Sequence, residues 1–242
     1  MNIFIGELIG TLLLVLLGNG VVATVLLKKS KGENSGWIVI SAGWGFAVAI
    51  AVYATGWASG GHLNPAVTLG FCLSGHTPWD LAPLYVGSQM LGAMLGALLV
   101  FFAYFPHWSA TRDLSHRLLC FSTQPAIRKL GWNFVNEVIG TAVLLLGILT
   151  IIDAHNGVTG GMAPYAIGIL IFSIGLSLGG ATGYAINPAR DLGPRIVYTL
   201  LPISTLKSAD WKYSWVPVFG PLLGGAIGAW VYVYFIKGLL PI

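Results

Sequence analysis

The sequence predicts an all-α membrane protein: six transmembrane helices plus two re-entrant half-helices, arranged as an inverted repeat. Composition is the first reason. Of 242 residues 56% are hydrophobic and only 8% charged, with a mean hydropathy of +0.81, whereas soluble domains carry about 25% charge. A soluble enzyme, a disordered chain, a collagen and a nucleic-acid-binding domain are all excluded. The second reason is six apolar stretches long enough for the roughly 20 residues that cross a bilayer as a helix. The third is an internal duplication that also contains short, motif-bearing segments.

The spans fall at 3–27, 37–56, 81–104, 132–152, 163–179 and 214–236. The first begins at Asn2-Ile3-Phe4, without a basic leader region or a small-residue cleavage site, and is expected to be retained. Segments 64–73 and 187–200 are helix-compatible but too short to span, so they are expected to enter and leave by the same face. The pI near 9.1 reflects Lys and Arg in loops rather than a nucleic-acid patch. Cys72 and Cys120 show no pairing or metal spacing and are expected as free thiols. Trp37, Trp57, Trp108, Trp132 and Trp211 are expected as interfacial anchors.

Glu7-Leu8-Ile9-Gly10-Thr11 returns as Glu137-Val138-Ile139-Gly140-Thr141, and Asn64-Pro65-Ala66 returns as Asn187-Pro188-Ala189. Leu91-Gly92 and Gly96-Ala97 return as Leu223-Gly224 and Gly228-Ala229. The repeats run 1–105 and 130–242, joined by a loop at 106–129, within a single domain 1–242. Each holds three spans, an odd number, so the second copy enters the membrane inverted and the short segments meet near the midplane. The glycines at four-residue spacing allow close helix contact.

Each half-helix opens Asn-Pro. Asn is a strong N-cap, and Pro at the first helical position lacks the N–H that would be orphaned. Two helix N-termini meeting at the midplane each carry about half a positive charge, which repels cations. With their oxygens committed to capping, the Asn64 and Asn187 amides are expected to donate to a passing hydroxyl or water. A water held in that way cannot accept a proton from its neighbour, which predicts a passage for neutral polar molecules.

Gly60-Gly61-His62-Leu63-Asn64-Pro65-Ala66-Val67-Thr68 and Gly183-Tyr184-Ala185-Ile186-Asn187-Pro188-Ala189-Arg190-Asp191 resemble the signature of the major intrinsic proteins, the aquaporins and glycerol facilitators. The second box continues Leu192-Gly193-Pro194-Arg195, and Asp191 with Arg195 resembles the bacterial glycerol facilitator branch, as does Pro217-Val218 in place of an aromatic pair. The resemblance implies the aquaporin fold, a homotetramer in the cell membrane with cytoplasmic termini, and one pore per protomer. It also implies an outer selectivity filter of Trp44, Gly175, Tyr184 and Arg190, in which two aromatic rings face a solute's carbons and the guanidinium its hydroxyls. His62 is expected to offer its carbonyl and ring to the pore. Tyr184 and Gln124 depart from the branch, so glycerol and water are joined by urea, dihydroxyacetone and undissociated lactic acid as candidate solutes.

Glu7 and Glu137 lie in apolar spans, where a carboxylate is costly. They are expected to anchor the backbone of the non-helical loops before each Asn-Pro-Ala. The alternative makes them ion-coupling groups of a secondary transporter, and a water-selective channel is a further alternative. Asp191 also reads as a first-turn acid complementing the helix dipole, and Arg195 as a juxtamembrane cation. No Ser/His/Asp grouping, HExxH or phosphate loop suggests an enzyme, and no cofactor or metal is expected. The loops at 28–36, 105–131 and 195–213 carry ten Lys and Arg against Lys237 on the other face. The positive-inside rule places those loops in the cytoplasm, whereas the resemblance places them outside.

Overall fold

The computed structural model describes residues 2–158, 160–204 and 208–237. It is all-helical among those residues. The spanning helices are α1 (Asn2–Leu26), α2 (Trp37–Ser59), α4 (Ala82–Ala103), α7 (Leu130–Ile151), α8 (Met162–Leu178) and α10 (Val216–Val231). The half-helices are α3 (Pro65–Leu73) and α9 (Pro188–Leu200). Five spans are long and apolar enough to cross a membrane by length and composition, counting the one-turn extensions of α4 and α10. The 17 residues of α8 stand at the lower limit for a spanning helix. The 106–129 connection contains two short helices, α5 (Phe105–Ala110) and α6 (Leu114–Leu119), where the sequence suggested only loop.

Small residues set the seams. A Cβ on Gly92 or Gly96 of α4 would strike the Leu8 or Leu12 carbonyl of α1. One on Gly224 or Gly228 of α10 would strike the Val138 or Ala142 carbonyl of α7. These contacts lie at equivalent places in the two repeats, so the sequence offsets reappear as matched seams.

A third seam joins the halves. Gly45 of α2 and Gly168 of α8 oppose one another, and a Cβ on either would sit 2.7 Å from the other's carbonyl oxygen. Their separation in sequence equals that of Asn64 and Asn187. The half-helices are exchanged: α3 packs on α10 and α9 on α4, with Gly225 against Ala66 and Gly193 against Ala93. Each short helix is therefore held by the third span of the other repeat.

Trp108 is a correction. It is 2% exposed, its ring lies between Phe101 and Phe121, and its Nε1 donates to the Phe101 carbonyl at 2.8 Å. The turns of α5 fold it back under the connecting segment, away from any lipid interface. Trp57 and Trp132, 85% and 75% exposed, are free to act as anchors. Both cysteines are unpaired and buried.

Gly168→Val overpacks the α2/α8 seam, at about 1–3 kcal/mol. Its melting temperature in detergent should fall by on the order of 5 °C, while Gly87→Val, with open space around its Cβ, should melt as the parent does. Equal melting of the two variants would mean this seam does not hold the halves together.

Candidate channel site

The segments before α3 and α9 leave helical geometry inside the apolar region, so their N–H groups need partners. Glu7, wholly buried on α1, accepts from the Ser59 hydroxyl (2.7 Å) and the His62 N–H (3.0 Å) through Oε1. Its Oε2 accepts from the Leu63 N–H and the Gln89 amide, both at 2.7 Å. Glu137 on α7 accepts from the Thr182 hydroxyl (2.6 Å), the Ala185 N–H (3.0 Å) and the Ile186 N–H (2.8 Å). Leu63 and Ile186 both adopt left-handed backbone, φ 52° and 43°, a conformation costing roughly 1–2 kcal/mol for a non-glycine residue.

That conformation aims the next bonds. Asn64 Oδ1 caps α3 by accepting from the Ala66 N–H at 2.9 Å, and Asn187 Oδ1 caps α9 from Ala189 at 3.0 Å and Arg190 at 3.2 Å. Asn64 Nδ2 donates to the Ile186 carbonyl and Asn187 Nδ2 to the Leu63 carbonyl, each at 2.8 Å. Each amide thus spends one N–H on the opposite repeat and keeps one. The sequence reading, which left the whole amide free, missed this cross-link.

The cavity at this junction is lined by Val48, Val52, Leu144, Ile148, Ile167 and Ile171 among its apolar residues. Asn64, Asn187, Arg190 and residues 60–63 and 184–186 complete its lining. The carbonyls of Gly60, Gly61, His62, Tyr184 and Ala185 accept no hydrogen bond among the described residues. The His62 ring is engaged elsewhere: it stacks on Tyr85 with centroids 4.1 Å apart and its Nδ1 faces the Thr68 hydroxyl at 3.1 Å.

Trp44, Tyr184 and Arg190 line the same cavity. The Arg190 guanidinium lies 4.1 Å over the Trp44 ring, and its Nη1 is buried without a hydrogen-bond partner. Gly175 does not line the cavity itself. It lies behind Tyr184, and a Cβ there would sit 2.8 Å from the Tyr184 Cζ. Trp37 braces the group by donating Nε1 to the Gly175 carbonyl at 2.9 Å and setting its ring edge-on to Tyr184 at 5.8 Å.

Asp191 and Arg195 form a wholly buried ion pair, Nη2 to Oδ1 at 2.8 Å. Asp191 Oδ2 accepts from the N–H and the hydroxyl of Thr123 at 2.6 and 2.7 Å. Arg195 donates to the carbonyls of Thr123 (2.9 Å) and Ala209 (2.7 Å). Asp191 does sit in the first turn of α9, but the surface-cation reading of Arg195 does not hold, because the buried pair ties two connecting segments to α9. Thr123, Thr182, Ser59 and Gln89, all buried partners of this scaffold, went unnoticed in the sequence because each is an ordinary polar residue outside any motif. Gln124 accepts from the Ser115 hydroxyl at 2.7 Å.

The major intrinsic protein family model matches residues 1–232. A probable glycerol uptake facilitator protein of Thermotoga maritima is 54% identical over 232 residues, covering 96% of this chain and 98% of that one. Glycerol uptake facilitator protein 3 of Lactiplantibacillus plantarum is 53% identical over 228 residues, covering 94% of each. The X-ray structure of the aquaglyceroporin from Plasmodium falciparum superposes with a TM-score of 0.90 at 32% identity, covering 98% of this chain and 97% of that one. A signature, a fold and a sequence match that agree along nearly the whole chain place it, as an integral membrane protein, in the major intrinsic protein family.

Proposed function

We propose that the protein is a passive channel that conducts glycerol and water, with one pore in each protomer of a homotetramer and no covalent chemistry. The observation that carries this reading is the mixed lining of the cavity. It combines apolar side chains with unpaired carbonyls, the free Asn64 and Asn187 N–H groups and the partnerless Arg190 Nη1. A three-carbon polyol is mixed in the same way, with C–H on one edge and hydroxyls on the other. The facilitator relatives support glycerol as the solute.

Exclusion of ions and protons follows from the electrostatics. The N-termini of α3 and α9 and the Arg190 charge oppose a cation in a low-dielectric passage. Glu7 and Glu137 have their oxygens turned to loop donors, which supports an anchoring role over ion coupling.

We also infer that the termini are cytoplasmic. The cations that argue against this are partly consumed by structure. Arg195 is paired and buried, Arg128 forms a bidentate pair with Asp210 at 2.8 Å, and Arg117 donates to the Thr111, Trp108 and Ile203 carbonyls. Lys28 lies 2.6 Å from Glu33, whose carboxyl it holds below the usual range. Positive charge used in this way reports loop architecture as much as topology.

In proteoliposomes, glycerol flux should be non-saturable, independent of sodium or proton gradients and low in activation energy; loss of flux when the gradients are removed would indicate a transporter. Arg190→Ala and Asn187→Asp should each raise cation or proton leak, and unchanged leak in both would refute the electrostatic barrier. Gly175→His should cut glycerol flux more than water flux, since any side chain there drives Tyr184 toward the cavity. A rise in glycerol flux would show the filter lies elsewhere. Protease added to intact cells should cleave within 105–131, and protection there would reverse the orientation.

A further inference from the structure

The Tyr184 ring lies along the glycine stripe of α8. A Cβ on Gly175 would be 2.8 Å from its Cζ and 2.9 Å from its hydroxyl, and one on Gly179 would be 3.1 Å from its Cε1. The phenol tip therefore points into the α2/α8 seam, while other parts of the residue line the cavity. The same Gly175 position lies 3.1 Å from the Ser41 Cβ on α2, so the two hydroxyls share one enclosed space. Both are buried and neither has a hydrogen-bond partner of good geometry, though the two hydroxyls lie within reach of one another across the Gly175 position. A hydroxyl left unsatisfied in such a place costs about 1–3 kcal/mol, and a small rotation that joins these two removes both deficits.

We propose that Ser41 is a positioning residue for selectivity, holding the Tyr184 ring back against α8 through a hydroxyl pair and so setting the width of the filter. Ser41 does not line the cavity and touches no solute; it acts through Tyr184. Trp37 meets the same ring edge-on. The tyrosine at this position thus has a use for its hydroxyl that phenylalanine lacks, and the use depends on one residue of the other repeat. Without Ser41, the phenol regains a partner only by turning toward the cavity, where water or solute meets it and the aperture narrows. Without the phenol hydroxyl, the ring has no reason to turn.

This inference rests on the channel reading above. Its test is a double-mutant cycle of Ser41→Ala and Tyr184→Phe, read in two ways on the same purified tetramer. In proteoliposome swelling, Ser41→Ala should lower the ratio of glycerol to water permeability about threefold or more. Tyr184→Phe, whatever its own ratio, serves as the second background, and adding Ser41→Ala to it should change nothing further. In detergent melting, Ser41→Ala should destabilise the parent and leave the Tyr184→Phe protein unaffected. A permeability ratio that Ser41→Ala leaves unchanged, or lowers equally in both backgrounds, overturns the proposal. The melting cycle reads the hydroxyl pair even in protein that conducts nothing, so additive melting also overturns it. Coupled melting without glycerol flux in the parent would instead sink the channel reading alone.

Discussion

Two stretches of non-helical backbone lie inside the membrane-spanning region, and everything else in the fold follows from the need to satisfy them. In hydrocarbon an unpaired N–H costs several kcal/mol. Glu7 and Glu137 meet that need from neighbouring spans, each through two oxygens. The left-handed residues Leu63 and Ile186 then link the systems, since their N–H groups bind the carboxylates and their carbonyls receive the opposite asparagine. The circuit runs carboxylate, loop, asparagine, opposite loop, opposite carboxylate. It closes only when both halves are present and inverted, which gives the duplication a physical purpose.

The halves differ where function needs them to. Glu7 has Gln89 as a further donor, and Gln89 Nε2 also reaches the Thr68 hydroxyl at 3.0 Å. Around Glu137, Thr182 stands where Ser59 stands around Glu7, and among the described residues no side chain takes the place of Gln89. Only the second half-helix carries Arg190, Asp191 and Arg195, and the ion pair there holds the segments around Thr123 and Ala209 against it. A guanidinium that must present donors to a passage has to be kept from pairing with carboxylates. Asp191 is fully occupied by Arg195 and Thr123, which leaves Arg190 to rest on the Trp44 face.

Much of this was legible in the chain. The repeats, the Asn-Pro turns and the two glutamates are marked by unusual residue types at matched offsets, and those offsets survive as matched seams and matched hydrogen bonds. Gly45 and Gly168 share the offset of the two asparagines and were open to discovery on that ground, but glycine is common enough in this sequence to hide them. The cross-repeat Asn bonds were not legible, because they depend on left-handed carbonyl directions at Leu63 and Ile186 that side-chain identity does not encode. Trp108 and Arg195 were misread for one reason: sequence position placed them in or near loops, and the loops fold back over the helices and bury them.

The carboxylates bind the loop amides of His62, Leu63, Ala185 and Ile186 as firmly as the amides of the spans are bound, although these residues border the cavity. Residue-resolved hydrogen exchange on the protein in nanodiscs tests this directly. These four N–H groups should exchange as slowly as amides in the middle of α1 and α7. Exchange at the rate of the Gly157–Val158 turn would show that the carboxylates do not hold the loops, and the circuit described above would not exist.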